Sequence, residues 1–220
     1  VPTPARVVIV PQEPGAPLTI ESLQLPDPGP NEVVVKPFAS GVCHSQLHQI
    51  HRPRTAPVIL GHESTGVVLA TGSEVRHVKE GDEVMVTWVA RDGENATRRP
   101  GQVSLTPPGG GQTQPVSVFT WADTTLADEQ YVVKMPPGQK KDVTSIIGCA
   151  VMTGAGAVLH TAGVQQGQSV AVFGVGGVGL SAIAAARIVG ANPIIAVDLD
   201  QAKLDFAKRF GATHGINASA

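Results

Sequence analysis

The chain has 220 residues, enough for one large domain or two small ones, each with a core of its own. Sixteen Lys and Arg against 18 Asp and Glu leave a formal charge of -2, so no basic field exists to hold nucleic acid or an anionic membrane surface. Hydrophobic residues at 42% with charged residues at 15% exclude a disordered, charge-rich chain, while 25 Gly and 18 Pro imply many turns. Two cysteines, Cys43 and Cys149, are too few for a disulfide framework and are as compatible with thiols or metal ligands as with one bridge. The expected compartment is the cytoplasm. VPTPARVVIV has no secretory or transit layout, and a start at Val1 points to a processed or clipped chain.

From Val1 to about Pro137, short β-prone runs are cut by turn residues: RVVIV, EVVVKPF, HESTGVVLATG, EVMVTWV, VSVFTWA and QYVVKM. Such spacing predicts an all-β unit of barrel or sandwich type. Within it, Arg91 to Gln114 has almost no apolar content and reads as a long surface loop. Past about Val143 the texture turns Ala- and Gly-rich. SVAVFG reads as a fully buried strand, LSAIAAARIVG as a helix, PIIAVDL as a second buried strand and DQAKLDFAKRFG as a helix ending at Gly211. Leu204, Ala207, Phe206 and Phe210 supply the helical spacing of that last segment, and a third strand begins at His214 to Ile216. Strand–helix alternation implies a parallel, doubly wound sheet. The uncharged stretch from Thr161 to Ala186 reaches membrane-spanning length, but its central glycines mark it as strand, turn and helix.

GVGGVG at Gly174 to Gly179 fits G-x-G-x-x-G in the strand-to-helix setting that gives the pattern meaning. Gly174 permits the tight turn, Gly176 lets the backbone approach a pyrophosphate, and Gly179 allows close helix–sheet packing. The free N–H groups of Gly177 and Val178 open the helix towards that anion. Alone, the turn is equally a packing device. Asp198 adds weight, because it ends the second strand about 20 residues on, where a carboxylate accepts from ribose hydroxyls and repels a 2′-phosphate. NAD is thereby favoured over NADP; the plainer role for Asp198 is an N-cap of the next helix.

Three segments carry metal-suited residues: GVCHSQLH around Cys43, GHESTG around His62 and IIGCAVMTG around Cys149. Each alone is as well read as a small buried thiol or a hydrogen-bonded histidine, and no C-x-x-C pair selects zinc. Together, these motifs and the run from GCAVMTGAGAVLHTAG through GVGGVGLS to IIAVDLDQAKLDFAKRFGATHGIN resemble the zinc-dependent alcohol dehydrogenases of the medium-chain dehydrogenase/reductase family. The resemblance covers almost the whole chain apart from Arg91 to Gln114. It implies a mixed α/β fold: a GroES-like β-barrel catalytic domain over 1–145, then the first part of a Rossmann-type NAD-binding domain over 146–220.

By that resemblance, Cys43, His62 and Cys149 are the three ligands of one catalytic zinc, the Cys₂His set known for alcohol dehydrogenases. Glu63 is the carboxylate beside the metal, and Ser45 and His48 relay the alcohol proton to solvent. His44 is the basic contact to the pyrophosphate, Thr153 stands beside the nicotinamide, Lys203 reaches the adenosine ribose, and Trp88 walls the substrate pocket. Two departures stand out. Gln46 replaces the Asp that orients the zinc histidine, and an amide supplies no charge to raise imidazole basicity. The four-cysteine structural-zinc lobe has no counterpart between Arg91 and Gln114, so one zinc is expected.

The implied function is NAD-dependent interconversion of a small alcohol and its carbonyl partner, without nucleic acid or membrane partners, and with a homo-oligomer in a full-length version. Only two strands and the start of a third are expected of a normally six-stranded sheet, so the chain as given is expected to turn over little. A zinc-free quinone reductase relative and a non-catalytic metal- or nucleotide-binding remnant are the alternatives.

Overall fold

The computed structural model describes residues 3–91 and 97–219. They fall into two units, Val1–Gly148 and Cys149–Ala220. In the first, β1 (Thr3–Val10) lies between β2 (Thr19–Leu25) and β4 (Val58–Ile59) in a three-stranded antiparallel sheet. A second, five-stranded sheet is built around β3 (Glu32–Ser40) and β5 (Glu63–Thr71), flanked by β7 (Thr125–Asp128) on one side and by β6 (Glu83–Thr87) and β8 (Val132–Lys134) on the other. All of its pairings are antiparallel. One helix, α1 (His44–His51), leaves the end of β3.

The run of apolar residues in β3 has a simple cause. Successive side chains of a strand point to opposite faces, and both faces of β3 are covered. Val34 packs with Ile9, Leu25, Phe119 and Leu126 in one core, whereas Val33 and Val35 pack with Val68, Val84, Val86 and Val132 in another. Sequence patterning does not reveal β2 or β7, because TIESLQL and TLAD are too polar or too short to stand out. VSVFTWA, expected as a strand, pairs only through isolated bridges at Val116 and Ala122. Its backbone is instead spent on loops: Thr120 and Trp121 both donate to the Leu60 carbonyl.

The stretch from Arg91 to Gln114 is not a plain surface loop; positions 92–96 lie outside the described residues. Val103 and Leu105 are buried in the core that contains Phe119, and Val103 exchanges backbone hydrogen bonds with Val116. Further up the stretch, Arg98 donates from both terminal nitrogens to Asp128, at 2.7 and 2.8 Å. Asp128 also accepts from the backbone of Gly101 and Gln130. Glu129 next to it faces Arg91 and His77. The stretch is thus tied to the strand end by an ionic network centred on the buried Asp128 and Glu129.

In the second unit, β9 (Val170–Phe173), β10 (Ile194–Asp198) and β11 (His214–Asn217) pair in parallel in the order β11-β10-β9. A composite helical run, Val143–Thr161, enters the unit with a 3-10 turn, a π turn over Ile147–Val151, α2 (Met152–Gly156) and a second π turn. Among the described residues, this run, with a mean hydropathy of 1.6, is the helix long and apolar enough to cross a membrane by length and composition. It carries buried Ser145, Gly148 and Cys149, and the Gly148 carbonyl accepts from Thr87 in β6 at 2.7 Å, which makes it a packing element. Helix α3 (Gly177–Ile188) buries Ala182, Ile183, Ala185 and Ala186, and α4 (Gln201–Phe210) buries Leu204 and Ala207. Phe210 packs against the same core as Leu204 and Ala207, whereas Phe206 is exposed and meets the Phe210 ring edge-on at 5.2 Å. The fully buried reading of SVAVFG is also corrected: β9 is an edge strand among the described residues, and Phe173 is 79% exposed.

Burial works against the charge of Asp128, yet the Arg98 guanidinium and the Gly101 and Gln130 N–H groups outweigh it and hold the carboxyl below its ordinary value. A carboxyl depressed in the native state adds stability that is complete above about pH 4, its unfolded value, and is lost as pH falls through the lower native one. Asp128→Asn is therefore expected to cost about 3 kcal/mol at neutral pH by stranding Arg98. The gap to the parent should shrink in acid. Urea unfolding across a pH series measures both, and a gap that does not narrow below pH ~4 contradicts the assignment.

Candidate functional site

Strand register assembles the first cluster. Ser40 at the end of β3 pairs with Ser64 in β5, so the chain leaving β3 and the chain entering β5 run side by side. Cys43 follows three residues beyond Ser40, and His62 lies two residues before Ser64. Glu63 in turn pairs with Thr87 at the end of β6. Thr87 holds the carbonyl of Gly148, whose chain neighbour is Cys149. The ligand atoms of Cys43, His62 and Cys149 all lie within 4.8 Å of one another.

Local chemistry prepares each of them. Cys43 is the N-cap of α1, where Gln46 Oε1 accepts its backbone N–H at 2.9 Å, the reciprocal bond of a capping box with a thiol in place of the usual hydroxyl. Ser45 Oγ donates to Cys43 Sγ at 3.3 Å. Gly61, just before His62, holds φ at +93°, and a Cβ there would stand 2.5 Å from the Thr120 hydroxyl and the Trp121 nitrogen. Only glycine lets the chain turn there and bring the imidazole inward. His62 Nε2 is buried and has no hydrogen-bond partner, and burial lowers the pKa of the ring, so it stays neutral. A neutral, unpartnered imidazole with two sulfurs at hand is the donor set that zinc prefers.

The other expected residues are distributed around this cluster. Glu63 is 2% exposed and opens β5, so it is no surface charge. Trp88 follows β6 directly, 49% exposed, with its ring centroid 6.4 Å from that of His62. His44, Ser45 and His48 are exposed on α1, and the two histidine rings stand 5.6 Å apart. Thr153 is exposed on α2, one turn along the same helical run as Cys149. Gln46, expected to face the zinc histidine, is 1% exposed, and its oxygen caps Cys43. That capping role is legible in C-x-x-Q once the thiol is allowed as a cap.

The glycine turn forms a second cluster within the second unit. Gly174 takes a φ of +82°, and a Cβ on Gly179 would fall 2.0 Å from the Gly174 carbonyl oxygen. Gly176 caps α3 with open space around it, and Gly177 and Val178 are exposed in the first turn. Asp198 closes β10 and accepts from Val175 N at 2.8 Å, a bond that holds its carboxyl below the ordinary value together with one from Asp200 N. The exposed Lys203 adds to the same effect. The N-cap of α4 is not Asp198 but Asp200, which accepts from Ala202 N.

Residues 29–137 match the family model of the alcohol dehydrogenase GroES-like domain, and residues 177–220 match that of the zinc-binding dehydrogenases. The S-(hydroxymethyl)glutathione dehydrogenase of Photobacterium damsela subsp. piscicida is 36% identical over 227 aligned residues, which cover 93% of this chain and 62% of that protein. The dehydrogenase of the same name from Escherichia coli O139:H28 is 37% identical with the same coverage. The chain thus spans about 62% of the length of the curated relatives it matches. Among solved structures, an alcohol dehydrogenase zinc-binding domain protein from Burkholderia ambifaria is similar with a TM-score of 0.88 and 33% identity, over 100% of this chain and 65% of the other. Benzyl alcohol dehydrogenase from Acinetobacter calcoaceticus gives 0.86 and 28%, over 99% and 65%. With both family models matched in order along one chain, and with relatives and structures that agree on the same type, the protein belongs to the zinc-dependent alcohol dehydrogenases of the medium-chain dehydrogenase/reductase family.

Proposed function

We propose that the protein interconverts small alcohols and their aldehydes or ketones, with zinc held by Cys43, His62 and Cys149 and with NAD on the Gly174 to Gly179 turn. The observation that carries this reading is the convergence of three ligand atoms, far apart in sequence, to within 4.8 Å. Zinc held there would supply Lewis-acid polarisation of an alcohol oxygen, and NAD would supply the hydride acceptor. The protein's own groups do the rest. Ser45 Oγ, which can both accept and donate, takes the alcohol proton as it gives up its own, and the relay runs on through the cofactor ribose to the exposed ring of His48 and solvent. Glu63 places a buried carboxyl beside His62, and Trp88 narrows the approach in favour of small primary alcohols. His44 faces the pyrophosphate, Thr153 the nicotinamide, and Asp198 with Lys203 the adenosine ribose. The complete donor set speaks against a zinc-free quinone reductase.

One equivalent of zinc per chain is expected by elemental analysis. His62→Ala and Cys149→Ala should each weaken it by about 100-fold or more, since even groups that only support a ligand are worth 10–100-fold. Cobalt substitution should give a thiolate charge-transfer band that both variants lose. Unaltered metal content in either variant would remove the basis of the proposal.

Cofactor choice is tested separately. Asp198→Ala removes a charged hydrogen-bond acceptor for the ribose, so NAD affinity measured by calorimetry should fall about tenfold, and the margin over NADP should narrow. Equal losses for both dinucleotides would mean that Asp198 merely supports the Val175 turn.

A further inference from the structure

Helix α1 carries three histidines in eight residues, His44, His48 and His51, next to the cap residue Cys43. His44 and His48 are four positions apart and share one helix face. Their rings already lie side by side, with centroids 5.6 Å apart and planes tilted by 35°. Both side chains are exposed, and no hydrogen bond among the described residues occupies either ring. With metal–nitrogen bonds of about 2.0 Å and a near-tetrahedral angle, the centroids of two ligating imidazoles stand roughly 5 Å apart. The observed separation is within a small ring rotation of that value, and exposed side chains make such rotations in picoseconds to nanoseconds.

We propose that His44 and His48 form a second metal site, which chelates one divalent ion of borderline softness such as Ni2+ or Zn2+, with water completing the shell. Two imidazoles suit these ions, and hard cations such as Mg2+ or Ca2+ gain little from them. The site differs in kind from the Cys43, His62 and Cys149 cluster, because it offers two nitrogens and no sulfur on an open surface, so it fills only after the thiolate cluster. Occupancy engages both imidazoles at once. If the preceding reading of His44 and His48 holds, surplus metal inhibits reversibly by blocking the pyrophosphate contact and the proton exit, and this consequence alone rests on that reading.

The test is calorimetric titration of Ni2+ into protein already loaded with one equivalent of zinc. One further Ni2+ per chain is expected. His44→Gln and His48→Gln should each weaken it by about tenfold or more, because a chelate becomes a single ligand. His51→Gln should leave it unchanged. Cys149→Ser should also leave it unchanged, which separates this site from the thiolate cluster: loss of zinc with retained Ni2+ binding leaves the pair intact. Paramagnetic Ni2+ should broaden the ring proton resonances of His44 and His48 before those of His160 and His214. Ni2+ binding that survives both glutamine variants, or that His51→Gln or Cys149→Ser abolishes, overturns the proposal.

Discussion

The register of the β3–β5–β6 ladder is the constraint on which the metal cluster depends. Antiparallel pairing of Ser40 with Ser64 places the ends that carry Cys43 and His62 next to each other, and pairing of Glu63 with Thr87 extends that corner to the residue that holds Gly148. A slip of one residue would turn every side chain of a strand to the opposite face. In β3 that cost is severe on both sides, since Val34 belongs to one core and Val33 and Val35 to another. Hydrophobic burial therefore sets the register, and the register sets which donors meet.

A polar donor set so close to two cores has to be insulated from them. Several hydroxyls near the corner are tied down: Ser40 and Thr120 both donate to the Glu63 carbonyl, and Thr87 to that of Gly148. His62 Nε2, like Gln46 Nε2 and Ser64 Oγ, is buried with no hydrogen-bond partner, which is costly unless something else satisfies the nitrogen. A metal ion is the group that the neighbouring sulfurs would share with it. Cys149 itself lies in a π turn, a local widening of the helix frequently found at functional sites.

The glycine turn from Gly174 to Gly179 depends on a different constraint, that of close approach. The helix α3 begins where Gly174 can adopt a positive φ and Gly179 can sit on the Gly174 carbonyl, and alanines at 182, 185 and 186 keep its inner face thin enough to lie on the sheet. Asp198 braces the same turn through Val175 while leaving its charge at the surface. A single carboxylate can thus both hold the turn and face a ribose, so the structural and the functional reading of Asp198 do not exclude each other.

Much of this was legible in the residues themselves. The strand–glycine–helix pattern, the second strand ending at Asp198 and the amphipathic α4 are local, and local periodicity with turn chemistry specifies them. The grouping of Cys43, His62 and Cys149 was legible only through resemblance, because their spacing matches no zinc motif and nothing local joins them. What the tertiary structure decided is what depends on partners distant in sequence. VSVFTWA has strand composition but meets its neighbours only through single bridges and loop carbonyls, whereas β2 and β7 are strands because neighbours accept their hydrogen bonds. Val103 and Leu105 look like loop residues until Val116 and Thr113 fold them into a core. Phe173 reads as buried until the sheet order leaves β9 at an edge. Gln46 is legible both as a departure and, in C-x-x-Q, as a cap, and only the geometry decides that its oxygen takes the Cys43 N–H, since a side chain's choice between two nearby donors is settled by packing and not by its neighbours in sequence.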